Sequence, residues 1–99
     1  MQTGIMYDFD AEIWKYSAAS SWYFVAIPNH ISLEIKENLK WQEEGWGRMK
    51  AKAKVGSTTW DTAIWYDSKR SACLLPIKSS IRKIEKIDAG FQIAVTIWV

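Results

Sequence analysis

A chain of 99 residues, 48% of them apolar, is long enough for one hydrophobic core and too short for two. A net charge of +2 is too small to argue for a polyanionic partner, and the single cysteine, Cys73, excludes an intramolecular disulfide. No apolar run comes near the roughly 18 residues that cross a bilayer, and the start MQTGIMYDFD lacks the regions of a signal peptide. These properties predict a single cytoplasmic domain over 1–99. Charge is unevenly spread: residues 1–47 hold three basic and seven acidic side chains, and 48–99 hold ten and four. Halves near −4 and +6 imply an external partner or mutual neutralisation.

Periodicity places the elements in turn. Tyr7, Phe9, Ala11 and Ile13 alternate with Asp8, Asp10, Glu12 and Trp14, a half-buried strand with an acidic outer face. After a turn at Ser17-Ala18-Ala19-Ser20, Ser21 to Ile27 reads as a strand buried on both faces, ended by Pro28. Ile31, Ile35 and Leu39 recur every four residues and predict a helix over about 32–43, capped by Asn29 or Ser32 and stopped by Gly45 and Gly47. Arg48 to Val55, RMKAKAKV, is a strand with Arg48, Lys50, Lys52 and Lys54 on one face and apolar residues on the other. Gly56 turns the chain into a strand over about 58–66, and Asp67 to Arg70 make the next turn. Ala72 to Leu75 form a short strand closed by Pro76. Ile77, Ile81 and Ile84 mark one face of a short helix over about 78–85. Asp88-Ala89-Gly90 then turns into a last strand with Phe91, Ile93, Val95, Ile97 and Val99 on its inner face.

The same order occurs twice: strand, turn, strand, proline, helix, glycine, strand. Asp10-Ala11-Glu12-Ile13-Trp14 is echoed by Asp61-Thr62-Ala63-Ile64-Trp65. We therefore expect pseudo-repeats over about 7–55 and 57–99 that close one small, mainly β barrel of six to seven strands. A short helix from each half plugs an open side.

Gly45-Trp46-Gly47-Arg48, then Trp60 on a strand, then Leu75-Pro76-Ile77-Lys78 with Arg82, Ile87 and Gly90 form an ordered set. In this order they resemble a bacterial and archaeal family known as domain of unknown function 1905, over about residues 7–99. The resemblance implies a double-split β-barrel, distantly similar in fold to the dimeric AbrB and MazE regulators, with one chain doing the work of two. It implies no activity, substrate or catalytic residue. Phe91 departs from the pattern, standing where the family has an acidic residue.

Two sets of residues are candidate contacts. Lys78 and Arg82 lie four apart on one helix face and suit an anionic ligand. Trp60, in the same family pattern, joins them as a ligand candidate, although Trp22 and Trp60 also suit core positions around Ala51 and Ala53. Arg48, Lys50, Lys52 and Lys54 form the alternative, a stripe that follows a nucleic-acid backbone. Against it, the face of that strand bears no aromatic ring, and the acidic stripe Asp8, Asp10, Glu12 is a natural neighbour for it. Trp65 and Trp98 alternate onto the faces opposite Ile64 and Ile97, and an exposed Trp98 suggests a dimer contact.

Cys73 reads as an inert core thiol, and His30 has no partner ligands, so no metal is expected. Asp10 with Glu12, or Glu43 with Glu44, read as solvated carboxylates rather than acid–base pairs. No phosphate loop, nucleophile elbow or dinucleotide fingerprint is present. The expectation is a non-catalytic barrel without cofactor or membrane contact, monomeric or homodimeric, binding a small anionic or aromatic ligand or a protein. A nucleic-acid-binding regulatory module is the alternative.

Overall fold

The computed structural model describes residues 5–19, 21–39 and 48–99. Its elements follow the order β1 (Met6–Glu12), β2 (Trp14–Lys15), β3 (Tyr23–Ala26), α1 (Asn29–Leu39), β4 (Arg48–Val55), β5 (Thr58–Asp67), β6 (Ala72–Pro76), α2 (Ser79–Glu85), β7 (Gln92–Trp98). Alternation decides which side of each strand is buried. Met49, Ala51, Ala53 and Val55 of β4 point inward, as do Ile93, Val95 and Ile97 of β7. Ala53 stands opposite Trp60 on β5 and Ile97 on β7, so a methyl side chain leaves room for the large ring.

All seven strands join one antiparallel sheet in the order β1-β7-β4-β5-β6-β3-β2. The sheet curls into a half-barrel but stays open, so the expected closed barrel is not formed by a ladder. Its two edge strands, β1 and β2, are consecutive in sequence and separated only by Ile13. A covalent link therefore holds the two ends together, with Ile13 N–H donating to Phe91 O at 2.9 Å and Gly90 N–H to Ile13 O at 2.7 Å. Exchanging β1–β2 with β5, β3 with β6 and β4 with β7 maps the sheet's pairings onto one another, with β3–β6 and β4–β7 mapping onto themselves.

The acidic and basic strands are not neighbours. β7 lies between β1 and β4, so Asp8, Asp10 and Glu12 stand opposite Thr96, Ala94 and Gln92. At about 4.8 Å per strand the two charged rows are roughly 10 Å apart, too far for the cross-strand pairing expected from sequence. Asp8 instead accepts a 2.6 Å hydrogen bond from Thr96 Oγ1, and Lys52 meets Asp61 of β5 at 3.9 Å.

The helices cover the concave side. α1 starts at Asn29, earlier than periodicity predicted, because the Pro28 carbonyl accepts from Ser32 N–H at 2.8 Å. Ser32 is thus not a cap. It is fully buried, its hydroxyl donating to Ile27 O and accepting from Cys73 N–H, both at 2.9 Å. The expected end of this helix at 40–43, with Gly45 and Gly47, lies outside the described residues. On α2 only Ile81 is buried, and Ile84 points to solvent because the helix is a short, left-handed-capped turn ending at Lys86. Phe91 is also 48% exposed rather than inward, since strand β7 begins one residue later.

Two couplings between helix and sheet give measurable consequences. Gly56, at φ +60°, makes the β4–β5 turn, and the Glu85 carboxylate lies against it, accepting from Ser57 and Thr58 hydroxyls. A methyl group there collides with Glu85 Oε1, so the carboxylate must leave both hydroxyls. Gly56→Ala is expected to cost about 1–3 kcal/mol in urea unfolding, from left-handed strain plus lost hydrogen bonds. In a Glu85→Ala background only the strain part should remain.

Tyr7 OH donates to Glu34 Oε1 at 2.9 Å and ties β1 to α1. Burial, then the Glu34 hydrogen bond and charge, push its phenol up from 10.0 to about 12. The folded chain holds this proton more tightly than the unfolded one, so the stabilisation is full below pH 10 and is lost between pH 10 and about 12. Tyr7→Phe should flatten that part of the alkaline stability curve measured by denaturant unfolding.

Candidate ligand cleft

The short β3–β6 ladder pairs Phe24 with Pro76, and Ile77 N–H extends it by donating to Tyr23 O at 2.8 Å. Proline cannot continue as a strand donor, so the chain turns at Lys78 into α2. Lys78 is the extended residue that precedes α2 and not part of the helix face expected from sequence, but Arg82 lies one turn on, its N–H donating to Lys78 O at 3.0 Å, and both border the start of β3. Together with Trp22, Tyr23, Pro76 and Ser79 they border a cleft of about 200 Å³. Two of the expected ligand contacts are therefore brought together.

Arg82 is held from two directions. Its Nε donates to Ile77 O at 3.3 Å, and its guanidinium carbon lies 3.5 Å from the centre of the Tyr23 ring. Both contacts restrain the guanidinium and use only its Nε as a donor. Trp22, expected in the core, is 59% exposed and stacks on Phe24 with centroids 6.0 Å apart. It lies before the ladder begins, where the strand pattern no longer governs which way a ring faces.

The sheet's exchange symmetry gives this position a counterpart. Ile27 N–H donates to Cys73 O as Ile77 N–H donates to Tyr23 O, and Ser32 N–H reaches Pro28 O as Arg82 N–H reaches Lys78 O. Ser32 hydroxyl and Arg82 Nε then bond to the equivalent carbonyls of Ile27 and Ile77. On the first side a small buried hydroxyl continues to Cys73 N–H and seals the junction. On the second side a large cation occupies the same place, and the junction is open.

Trp60 is not part of this cleft. Its ring is buried on the inner face of β5, and its Nε1 meets no acceptor among the described residues. Residues 9–97 match the model of a family described as domain of unknown function (DUF1905). The chain belongs to this family. The comparison with curated proteins finds no match. The span assigned to DUF1905 contains the whole cleft, including Trp22 and Tyr23, which sequence reasoning did not select.

The basic strand of this DUF1905 chain keeps Arg48, Lys50, Lys52 and Lys54 on the outer face, but its surroundings differ from expectation. Across the ladders Lys52 stands opposite Trp98 and Arg48 opposite Trp65, so rings flank the stripe although none lies on the strand itself. Only the register between strands could have revealed this. Trp65 also meets Phe24 edge-on at 5.2 Å, and Phe24 is buried outside the main core by Trp14, Tyr16, Trp22 and Trp65. Arg70 lies over Trp14 at 4.5 Å and pairs with Asp67 at 2.7 Å. This outer aromatic cluster has no counterpart in the sequence-based reading.

Among the described residues no group of three or more His, Cys, Asp or Glu could hold a metal ion, and no helix is long and apolar enough to cross a membrane. Burial pushes the Cys73 thiol up from 9.0 to about 11, against the Ser32 hydrogen bond and the Lys36 charge. A thiol so placed is a poor nucleophile. Its modification by a disulfide reagent at pH 8 should be negligible in the native protein and should follow the unfolding rate when urea is added.

Proposed function

We propose that this chain is a non-catalytic binding module that takes a small anionic ligand carrying a flat ring, at the cleft of Trp22, Tyr23, Lys78 and Arg82. The observation that carries the reading is the departure from symmetry: where one half seals its strand–helix junction with Ser32, the other keeps Arg82 beside an opening. A guanidinium already oriented by a carbonyl and a ring loses little freedom on meeting a carboxylate or phosphate. Lys78 adds a second positive charge, and Trp22 offers a ring face at the rim. Catalysis is not supported, because no carboxylate, histidine or thiol lines the cleft among the described residues. The exchange symmetry of the pairings also supports reading the chain as duplicated halves, about 7–55 and 57–99, in which only one junction has acquired this role.

The basic strand supports a nucleic-acid reading less well. Lys52 already meets Asp61, and the row beyond β7 carries three carboxylates that repel a phosphate backbone.

Titration calorimetry with adenosine monophosphate, phenyl phosphate and salicylate tests the proposal. At least one is expected to bind saturably with a Kd below about 1 mM, and Arg82→Ala to weaken it about tenfold or more. Arg82→Lys should rescue only part, since an ammonium keeps the charge but neither the fork nor the stacked plane. Absence of saturable binding by all three, or unchanged affinity in an Arg82→Ala protein that melts like wild type, would overturn it.

A further inference from the structure

At about 200 Å³ the cleft is smaller than the roughly 300–1,000 Å³ of a typical small-molecule site, so it accommodates one end of a ligand. The surface that continues from it is aromatic and basic. Trp22, at the rim, stacks on Phe24, and Tyr16 and Trp65 meet the same Phe24 ring at 6.2 and 5.2 Å. Tyr16 and Trp65 in turn wall a second opening of about 640 Å³, which Lys69 and Arg70 also line. One ring cluster thus borders two openings, each with a pair of cations.

We propose that this surface is a track for single-stranded nucleic acid, with one phosphate at Lys78 and Arg82, bases laid on Trp22 and Tyr16, and later phosphates at Lys69 and Arg70. The proposal rests on the anion cleft described above and names the ligand class that the cleft begins to hold. Rings interleaved with cations are what sequence-tolerant recognition of single strands requires, because every base has a face to stack and every linkage a charge. Asp67 is the one carboxylate among the described residues bordering the two openings; Arg70 pairs with it at 2.7 Å and the Lys69 backbone N–H reaches it at 2.9 Å, so the Lys69 side chain supplies the net positive charge of the second opening. Tyr16 is 63% exposed, so a base can reach it without displacing the core. The track runs on toward Arg48, opposite Trp65. A duplex keeps its bases stacked on one another and gains nothing from the rings. An acidic peptide uses the cations and leaves the rings idle.

Fluorescence anisotropy with an end-labelled oligothymidylate of about 12 nucleotides, in about 50 mM salt, decides the matter. Saturable binding is expected, tighter than that of adenosine monophosphate, with a log–log salt slope of roughly −2 for Lys78, Arg82 and Lys69 on a single strand, and nearer −3 if a phosphate takes Arg70 from Asp67. Trp22→Ala and Tyr16→Ala, both at exposed rings, should each weaken it about five- to a hundredfold, and a duplex of equal length should bind at least about tenfold more weakly. Lys69→Glu should weaken the oligonucleotide while leaving adenosine monophosphate unaffected. If adenosine monophosphate still depends on Arg82 but the oligonucleotide binds no more tightly, the track is wrong and the cleft stands. If neither binds, both readings fall. If heparin or polyglutamate displaces the oligonucleotide equally well and the two ring variants keep wild-type affinity, the surface is a general acidic-partner site and the track is overturned.

Discussion

The three-pair ladder between β3 and β6 is the constraint on which the rest of the molecule depends. It sits where the two halves of the chain meet, and its ends are fixed by two matching hydrogen bonds, Ile27 to Cys73 and Ile77 to Tyr23. Pro28 and Pro76 forbid extension in either direction, so both strands must leave the sheet and turn into helices at opposite ends. Each helix then covers the concave face with an isoleucine set, Ile31 and Ile35 from α1 and Ile81 from α2. Two strand–helix junctions follow from this geometry, and every buried polar group at them has to be satisfied. Ser32 satisfies the first with two hydrogen bonds and closes it. Arg82 meets the second with one bond and a ring contact, and this junction borders the cleft.

Much of the fold was legible because its strands alternate. RMKAKAKV, the Phe91–Val99 run and the Tyr7–Ile13 run each declare a buried face, and the prolines declare where strands end. What alternation does not encode is which strand lies beside which. The acidic strand β1 was matched to β4 by charge alone, whereas the chain inserts β7 between them, because strands from the two halves interleave rather than lie in two blocks. The same ignorance of neighbours hid Trp65 and Trp98 beside the basic stripe. Lys78 and Arg82 could be selected from their spacing and family pattern. Trp22 could not, because a tryptophan next to Tyr23, Phe24 and Val25 looks like more strand interior. Trp60 carried the opposite error: its place in the pattern reflects the space above Ala53, a packing requirement and not a contact with a ligand.

Interleaving also bears on the charge asymmetry of the two halves, since the acidic row of β1 and the basic row of β4 share no ladder. A basic row beside an acidic row would neutralise both and leave the outer face without a field. Separation by the uncharged row Gln92, Ala94, Thr96 keeps the two signs apart across the convex surface. Exposed pairs such as Lys52 and Asp61 contribute little to stability, so the arrangement costs the fold almost nothing. Its consequence is that the two signs stay with β1 and β4, while the opposite edge of the ladder, β3 and β2, is joined to β1 through Ile13 alone.

At that opposite edge the sheet carries apolar residues on both faces. Inward, Val25, Leu75 and Ile64 belong to the main core; outward, Phe24 is only 4% exposed, beneath four aromatic rings. A cluster built only to shield Phe24 is best made of aliphatic side chains and lysine stems, which cover apolar surface while presenting polar ends. Aromatic rings shield it too, but Trp22 and Tyr16 do so while leaving more than half of their own surface in water. Structural shielding therefore accounts for the burial of Phe24 and not for the chemistry of its covering. Flat rings exposed in this way, between Lys78 with Arg82 on one side and Lys69 with Arg70 on the other, are the arrangement that the proposed recognition of a planar anion requires.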